Sequence, residues 1–404
     1  MGTSSRRIYY GWWVVVGAFL LLFCAAGTHF YAFPVFLDVM VREMGWARTQ
    51  AALAMTIGTL VTGAMGVLVG VLIRRIGFKL VMVPGTIMAG LGLTLLRTVS
   101  EPWQFYLCYG VILSVGVAGI GTVASMTAVE TWFDNGKSTA LGIASTGIGA
   151  GGIVMPLIAG WLVSNYDWQT ACTFMAGILM LICLPISAVV VWERGERPVG
   201  SGEESKKRSR PIDVAMGKAL KQKAFWLLSL GAMLWYLAYT IGLAHQVAFA
   251  VDAGISRVAA AGAVSLLCVF SIPARILFGR LGDIMDKRYV MIMAGALEAL
   301  AFVVLLKGAN LTTLYIYSAL MGIGVGALAP ILPGLIADYF GRRHFGGIYG
   351  ILEMLTMVGD MIGPVYAGRI FDITKSYQLA FLSGIAIALL VIVLVCLAPK
   401  ANTR

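Results

Sequence analysis

Twelve long runs of mostly apolar residues, parted by short polar breaks, set the pattern of this chain. They lie near residues 11–37, 47–73, 80–96, 103–130, 139–164, 169–192, 224–250, 258–279, 289–306, 311–337, 346–371 and 377–398. A helix crossing a bilayer needs about 20 mostly apolar residues. The pattern therefore predicts an all-α membrane protein with 12 transmembrane helices, the longest of them tilted or kinked. The first run follows Arg6 and Arg7, as a signal peptide would. It is too long for one and is one of many, so it reads as an uncleaved first helix. The start Met1-Gly2-Thr3-Ser4-Ser5-Arg6 departs from the myristoylation pattern at its sixth position.

Composition agrees. Of 404 residues, 59% are hydrophobic and 12% charged, with 49 Gly and 12 Pro. A soluble core cannot hide so much apolar surface, which sets aside a soluble enzyme, a nucleic-acid binder and a disordered chain. The six cysteines (Cys24, Cys108, Cys172, Cys183, Cys268 and Cys396) all fall in apolar runs without C-x-x-C spacing, so they read as small buried residues.

The net charge of +11 is the one discordant quantity. Placing the N-terminus inside puts 22 Lys and Arg at inner helix ends and 7 at outer ends, with Arg275 left within a span. That asymmetry predicts both termini on the cytoplasmic side. The longest polar stretch, 194–223, divides the spans six and six. It lacks interleaved aromatics for stacking on bases, and reads as a cytoplasmic linker between bundles 1–193 and 224–404.

The halves align at a nearly constant offset of 209: Gly45-Trp46-Ala47-Arg48 falls on Gly254-Ile255-Ser256-Arg257, Lys79-Leu80-Val81-Met82 on Arg288-Tyr289-Val290-Met291, and Trp168-Gln169 on Tyr377-Gln378. Two parallel six-helix repeats imply a pseudo-two-fold axis along the membrane normal, with a substrate site between halves near the midplane.

Two segments, Gly70-Val-Leu-Ile-Arg-Arg-Ile-Gly-Phe-Lys79 and Gly279-Arg-Leu-Gly-Asp-Ile-Met-Asp-Lys-Arg288, resemble the paired loop motif of the major facilitator superfamily. The resemblance implies that fold, with Gly70, Arg74, Gly279 and Asp283 as gating-loop residues. Arg74 stands where the motif usually carries Asp. A narrower resemblance, to monocarboxylate transporters and the oxalate/formate exchanger group, rests on Tyr10-Gly11-Trp12-Trp13, Tyr31-Ala32-Phe33-Pro34, Trp132-Phe133 before Ala140-Leu141-Gly142-Ile143-Ala144, and Ala274-Arg275. It implies carriage of small carboxylates such as lactate or pyruvate, commonly with a proton. Val35 replaces the Lys of animal members, Ser271 the Asp before the eighth-helix Arg, and the eleventh helix offers no second cation before Arg369. The last point argues against a dicarboxylate.

Arg275 is flagged by its position alone, because a charge in mid-membrane by default faces a cavity or partner. Its repeat mate is Gly66, so symmetry does not require it, and a guanidinium grips a carboxylate bidentately. Tyr31, Phe33, Tyr236, Tyr239, Ser271 and His245 complete the expected substrate site. Glu353 and Asp360, seven apart and thus on one helix face, are the expected proton-coupling groups, with Asp252 and His29 as further candidates. Arg275 and Glu353 are expected to pair when the site is empty. Asn135-Gly136-Lys137-Ser138-Thr139 contains the Gly-Lys-Ser of a phosphate loop, but Thr131 occupies the place of its first Gly and no strand precedes it. No nucleotide, metal or other cofactor and no nucleic acid are expected, and the chain is not read as an enzyme. The expected partners are a small carboxylate, protons and membrane lipid, with the monomer as working unit. An exporter or exchanger of other organic anions or drugs is the alternative.

Overall fold

The computed structural model describes residues 9–46, 48–190, 214–308 and 310–401. Arg6, Arg7 and residues 194–213 of the linker lie outside the described residues. Twelve membrane-length helices are present. We number them α1 (Gly11–Phe36), α2 (Leu53–Ile76), α3 (Phe78–Thr98), α4 (Pro102–Trp132), α5 (Lys137–Asn165) and α6 (Trp168–Val190), then α7 (Lys223–Asp252), α8 (Gly262–Ile284), α9 (Lys287–Leu306), α10 (Leu311–Phe340), α11 (Phe345–Thr374) and α12 (Gln378–Leu397). They form two pseudo-symmetric six-helix bundles, and no strand occurs among the described residues.

Leu157, Leu181, Ile284 and Val365 are exposed on the outside, where the surrounding solvent is lipid and backbone polar groups are satisfied within each helix. Small residues bring the helices together. Gly147 and Gly151 of α5 lie so close to the Phe19 and Phe23 carbonyls of α1 that a Cβ on either would overlap them. Small residues at a helix interface allow such close crossings. The repeat reappears in backbone conformation: Gly45 and its mate Gly254 both adopt positive φ, 67° and 85°. Nothing lies within 4 Å of a Cβ built on either, so the left-handed turn, not packing, calls for glycine there.

Three irregularities bear on the site. In α1, one π-helical stretch (Gly27–Tyr31) precedes Ala32, and a second, Tyr106–Leu113, lies in α4. Such turns recur at functional positions because they re-aim side chains and carbonyls. In α8, Pro273 sits inside the helix two residues before Arg275 and removes a backbone hydrogen bond there.

Candidate functional site

The contact between bundles builds the site. α8 lies against α5 so closely that a Cβ on Gly142 would overlap the Arg275 carbonyl. The approach lets the Arg275 Nη1 donate to the Ser145 carbonyl across the interface at 3.1 Å. Arg275 is 5% exposed and its Nε has no partner. Counting back from Ile284, it lies about 14 Å in from the helix end at 1.5 Å per residue, in mid-membrane. No carboxylate lies within salt-bridge distance of it among the described residues, so the expected pair with Glu353 is not formed. The guanidinium is turned toward α5, while Glu353 lies beside the Tyr349 hydroxyl of its own helix.

Around Arg275 the structure gathers groups from four helices. Tyr31 of α1, Tyr236 and Tyr239 of α7, and Cys268 of α8 are near enough to the guanidinium to interact with its charge. The Tyr31, Tyr236 and Tyr239 hydroxyls in turn feel Asp360 of α11, and Tyr236 feels Glu353. Trp235 stacks on Tyr239 with ring centroids 5.4 Å apart.

The remaining expected site residues are placed as follows. Ser271 is buried and its Oγ donates to the Cys268 carbonyl of its own helix. Phe33 packs on Tyr109 and Phe105 of α4, with centroids 4.8 and 6.4 Å away. His29 is 0% exposed. Its Nε2 meets the Ser114 Oγ at 2.8 Å, its carbonyl accepts from the Tyr109 hydroxyl, and its ring stacks on Tyr109. The π-turn in α1 thus points His29 and Phe33 into α4 while Tyr31 faces the central cluster. His245 sits within the C-terminal bundle, its Nε2 3.0 Å from the Pro364 carbonyl and its Nδ1 3.3 Å from the Tyr377 hydroxyl. Asp252 is exposed at the end of α7 and acts on the same Tyr377.

At the end where the linker attaches, the bundles are latched. Asp283 accepts from the Ser138 and Thr139 backbone N–H groups at 2.8 and 2.9 Å and from the Thr139 hydroxyl at 2.6 Å. It therefore caps the N-terminus of α5, where unsatisfied N–H groups favour an anion. The Gly-Lys-Ser segment is this capped turn. Gly279 lies on the Ser138 carbonyl, which would stand 2.5 Å from a Cβ placed there. Gly70 of α2 crosses Gly346 of α11 so closely that a Cβ on Gly70 would overlap the Gly346 carbonyl. Arg74, the repeat mate of Asp283, contacts His344 at 3.4 Å at the N-terminus of α11.

A second latch escapes sequence reasoning. Arg342 reaches from the C-terminal bundle to Glu130 at 2.9 Å, to Asp134 at 2.7 Å and to the Phe133 carbonyl. Lys137 also binds Glu130, at 3.2 Å. Glu130 and Arg342 are 212 positions apart, so only the carboxylate late in an apolar run hinted at the pair. The N-terminal aromatic motif finds its role here too. Tyr10 packs on Trp132 and Trp12 on Phe133, at 4.9 and 5.3 Å, and the Tyr9 hydroxyl donates to the Trp132 carbonyl.

Comparison with known proteins agrees with this architecture. The family model described as Major Facilitator Superfamily matches residues 18–297 and 246–403. Monocarboxylate transporter 4 of Gallus gallus is 23% identical over 397 residues, covering 95% of this chain and 82% of the relative. Monocarboxylate transporter 12 of Homo sapiens is 24% identical over 417 residues, covering 94% and 78%. In fold, a solved fucose transporter in the outward conformation matches with a TM-score of 0.72 at 15% identity, covering 96% of this chain and 98% of that one. A human organic anion transporter matches at 0.66 and 17% identity, covering 96% and 97%. The chain belongs to the major facilitator superfamily and is monocarboxylate transporter-like.

Proposed function

We propose that this transporter carries small monocarboxylates of the lactate and pyruvate kind together with a proton, by alternating access around Arg275. The observation that carries the reading is the buried guanidinium with a free Nε between the bundles. A carboxylate bound side-on takes two parallel N–H donors from such a group. Tyr31, Tyr236 and Tyr239 offer hydroxyls beside it, with their aromatic rings as an apolar surface for a short tail. A site with one cation and few donors suits a small monoanion.

Charge balance supports proton coupling. With Glu353 and Asp360 both ionised, the site carries one positive and two negative charges and repels an anion. A proton on either carboxyl brings it to neutrality, so a proton favours substrate entry and substrate favours proton binding. Asp252, His29 and His245 stand outside this central balance.

The latched end carries the linker and the basic loops. We assign it to the cytoplasm, with both termini there and the structure outward-facing in the cell membrane. Residues 1–193 and 224–404 would rock as monomeric halves about the 194–223 linker. The test is labelled lactate uptake into proteoliposomes with and without an inward proton gradient, for the native protein and Arg275→Lys. Gradient-driven accumulation in the native protein and its loss in the variant are expected. Absence of lactate uptake and of competition by short carboxylates would overturn the reading.

A further inference from the structure

We propose that Glu298, midway along α9, is a second proton-binding site, set inside the C-terminal bundle and exchanging its proton with the central site past the Tyr317 and Tyr239 hydroxyls. Glu298 is 0% exposed and neither carboxyl oxygen has a hydrogen-bond partner. Its repeat mate is Ala89, which packs against Gly116, so the fold's symmetry does not ask for a carboxyl here. Intramembrane carboxyls are rare and mark ion or proton paths by default.

The surroundings limit what Glu298 can bind. Tyr317 of α10 is near enough to interact with its charge, and that hydroxyl is likewise buried and unpartnered. Gly242 of α7 makes room for the hydroxyl, since a Cβ there would overlap it. On α7, Trp235 Nε1 and Gln246 Nε2 are also without partners, while the Gln246 Oε1 accepts from Ser318 of α10. α12, packed against α9, carries no Asp, Glu, Lys, Arg, His or Tyr between Gln378 and Leu397. α8 directs Arg275 and Cys268 into the central cluster instead. On α9 itself the charged residues Lys287 and Arg288 stand at the linker end, and Lys307 follows the other end.

Among the described residues no cation therefore faces the carboxyl, and an isolated ionised carboxylate away from water is far costlier than a protonated one. A metal ion would need more oxygens than Glu298 and Tyr317 supply. A proton needs only one. The proton comes from hydronium at the central site: a Glu298 oxygen gains the O–H bond, a water is left behind, and release reverses the step. Two side chains link Glu298 to the central site by charge: Tyr239, which belongs to the central cluster, interacts with Tyr317, and Tyr317 interacts with Glu298.

The transport role rests on the proton-coupled reading above, whereas proton occupancy does not. Infrared spectra of the full-length protein in lipid vesicles at pH 7, native against Glu298→Gln, read occupancy directly. A carboxylic-acid carbonyl band present in the native protein, retained in Glu353→Gln and Asp360→Asn and missing in Glu298→Gln, is expected. Carboxylate bands alone in the native-minus-variant difference would overturn the proposal. Tyr317→Phe, a milder change, should move the frequency of that band, and an unmoved band would remove Tyr317 from the path. In vesicles, Glu298→Gln should keep lactate counterflow at equal pH and lose at least tenfold in gradient-driven accumulation. Native-level accumulation would overturn the coupling role. If the native protein takes up no lactate, the substrate reading fails while the infrared result for Glu298 stands.

Discussion

At the residue scale, the arrangement turns on a guanidinium that spends one N–H on a carbonyl and keeps its Nε free. Arg275→Lys preserves the charge and removes the planar fork. A charge-assisted hydrogen bond contributes about 1.5–3 kcal/mol, so kcat/KM for lactate should fall roughly 10- to 150-fold, measured as initial uptake rates. An unchanged value would show that substrate does not use the fork. Glu353→Gln should leave counterflow intact and flatten the dependence of uptake on an imposed pH gradient, since the variant side chain cannot take up a proton. Arg275, Glu353 and Asp360 were legible because charge within an apolar run is conspicuous. That His29 and Phe33 turn away from the central cluster was not legible, because their sequence neighbours do not reveal which side of a π-turn a side chain takes.

At the element scale, close crossings and capped ends hold the helices in register. Gly70→Ala would set a Cβ against the Gly346 carbonyl, and overpacking of this kind costs about 1–3 kcal/mol. The variant should fold but disfavour the latched state, seen as greater labelling of cysteines placed on the linker side of the central site. Equal labelling would show that the backbones part without cost. Asp286 N-caps α9 and binds the Arg288 guanidinium, with the closest contact at 2.7 Å. Burial opposes its ionisation, but hydrogen bonds from the Arg288 side chain and backbone outweigh that and hold its carboxyl below the ordinary range. Its contribution to stability is therefore present above the usual carboxylate pKa and lost as pH falls through its depressed value. Asp286→Asn should weaken that acid-side loss in thermal unfolding curves of the solubilised protein. Helix number and approximate ends were legible from run length, whereas the π-helical stretches were not, because they change hydrogen bonding without changing composition.

At the scale of the whole molecule, two charged latches and two glycine crossings close one end of the bundle interface. Asp283 holds the start of α5, and Arg342 holds Glu130 and Asp134. Asp283→Asn weakens the interaction with the helix terminus, and Arg342→Gln removes the cation between two carboxylates. Either should lengthen the distance between spin labels placed on the exposed positions 79 and 280, measured by pulsed electron resonance. The double variant should shift the population furthest, and unchanged distances would show that apolar packing alone closes this end. The Asp283 half of this mechanism was visible in a motif. The Arg342 half was not, because its partners lie in the other bundle.

The sequence by itself determined the fold class, the number of spans, the two-fold repeat and the presence of an intramembrane arginine. Those properties follow from hydropathy, periodicity and the cost of charge in lipid, each readable along a line. The tertiary structure decided which side chains share a space: three tyrosines around Arg275, His29 and Phe33 turned into α4, and Glu298 enclosed without a partner. It also decided that Arg74 and Asp283, equivalent in the repeat, meet unlike neighbours. These outcomes depend on how helices distant in sequence cross, and small residues such as Gly142 and Gly70 set those crossings through backbone contact that no one-dimensional pattern records.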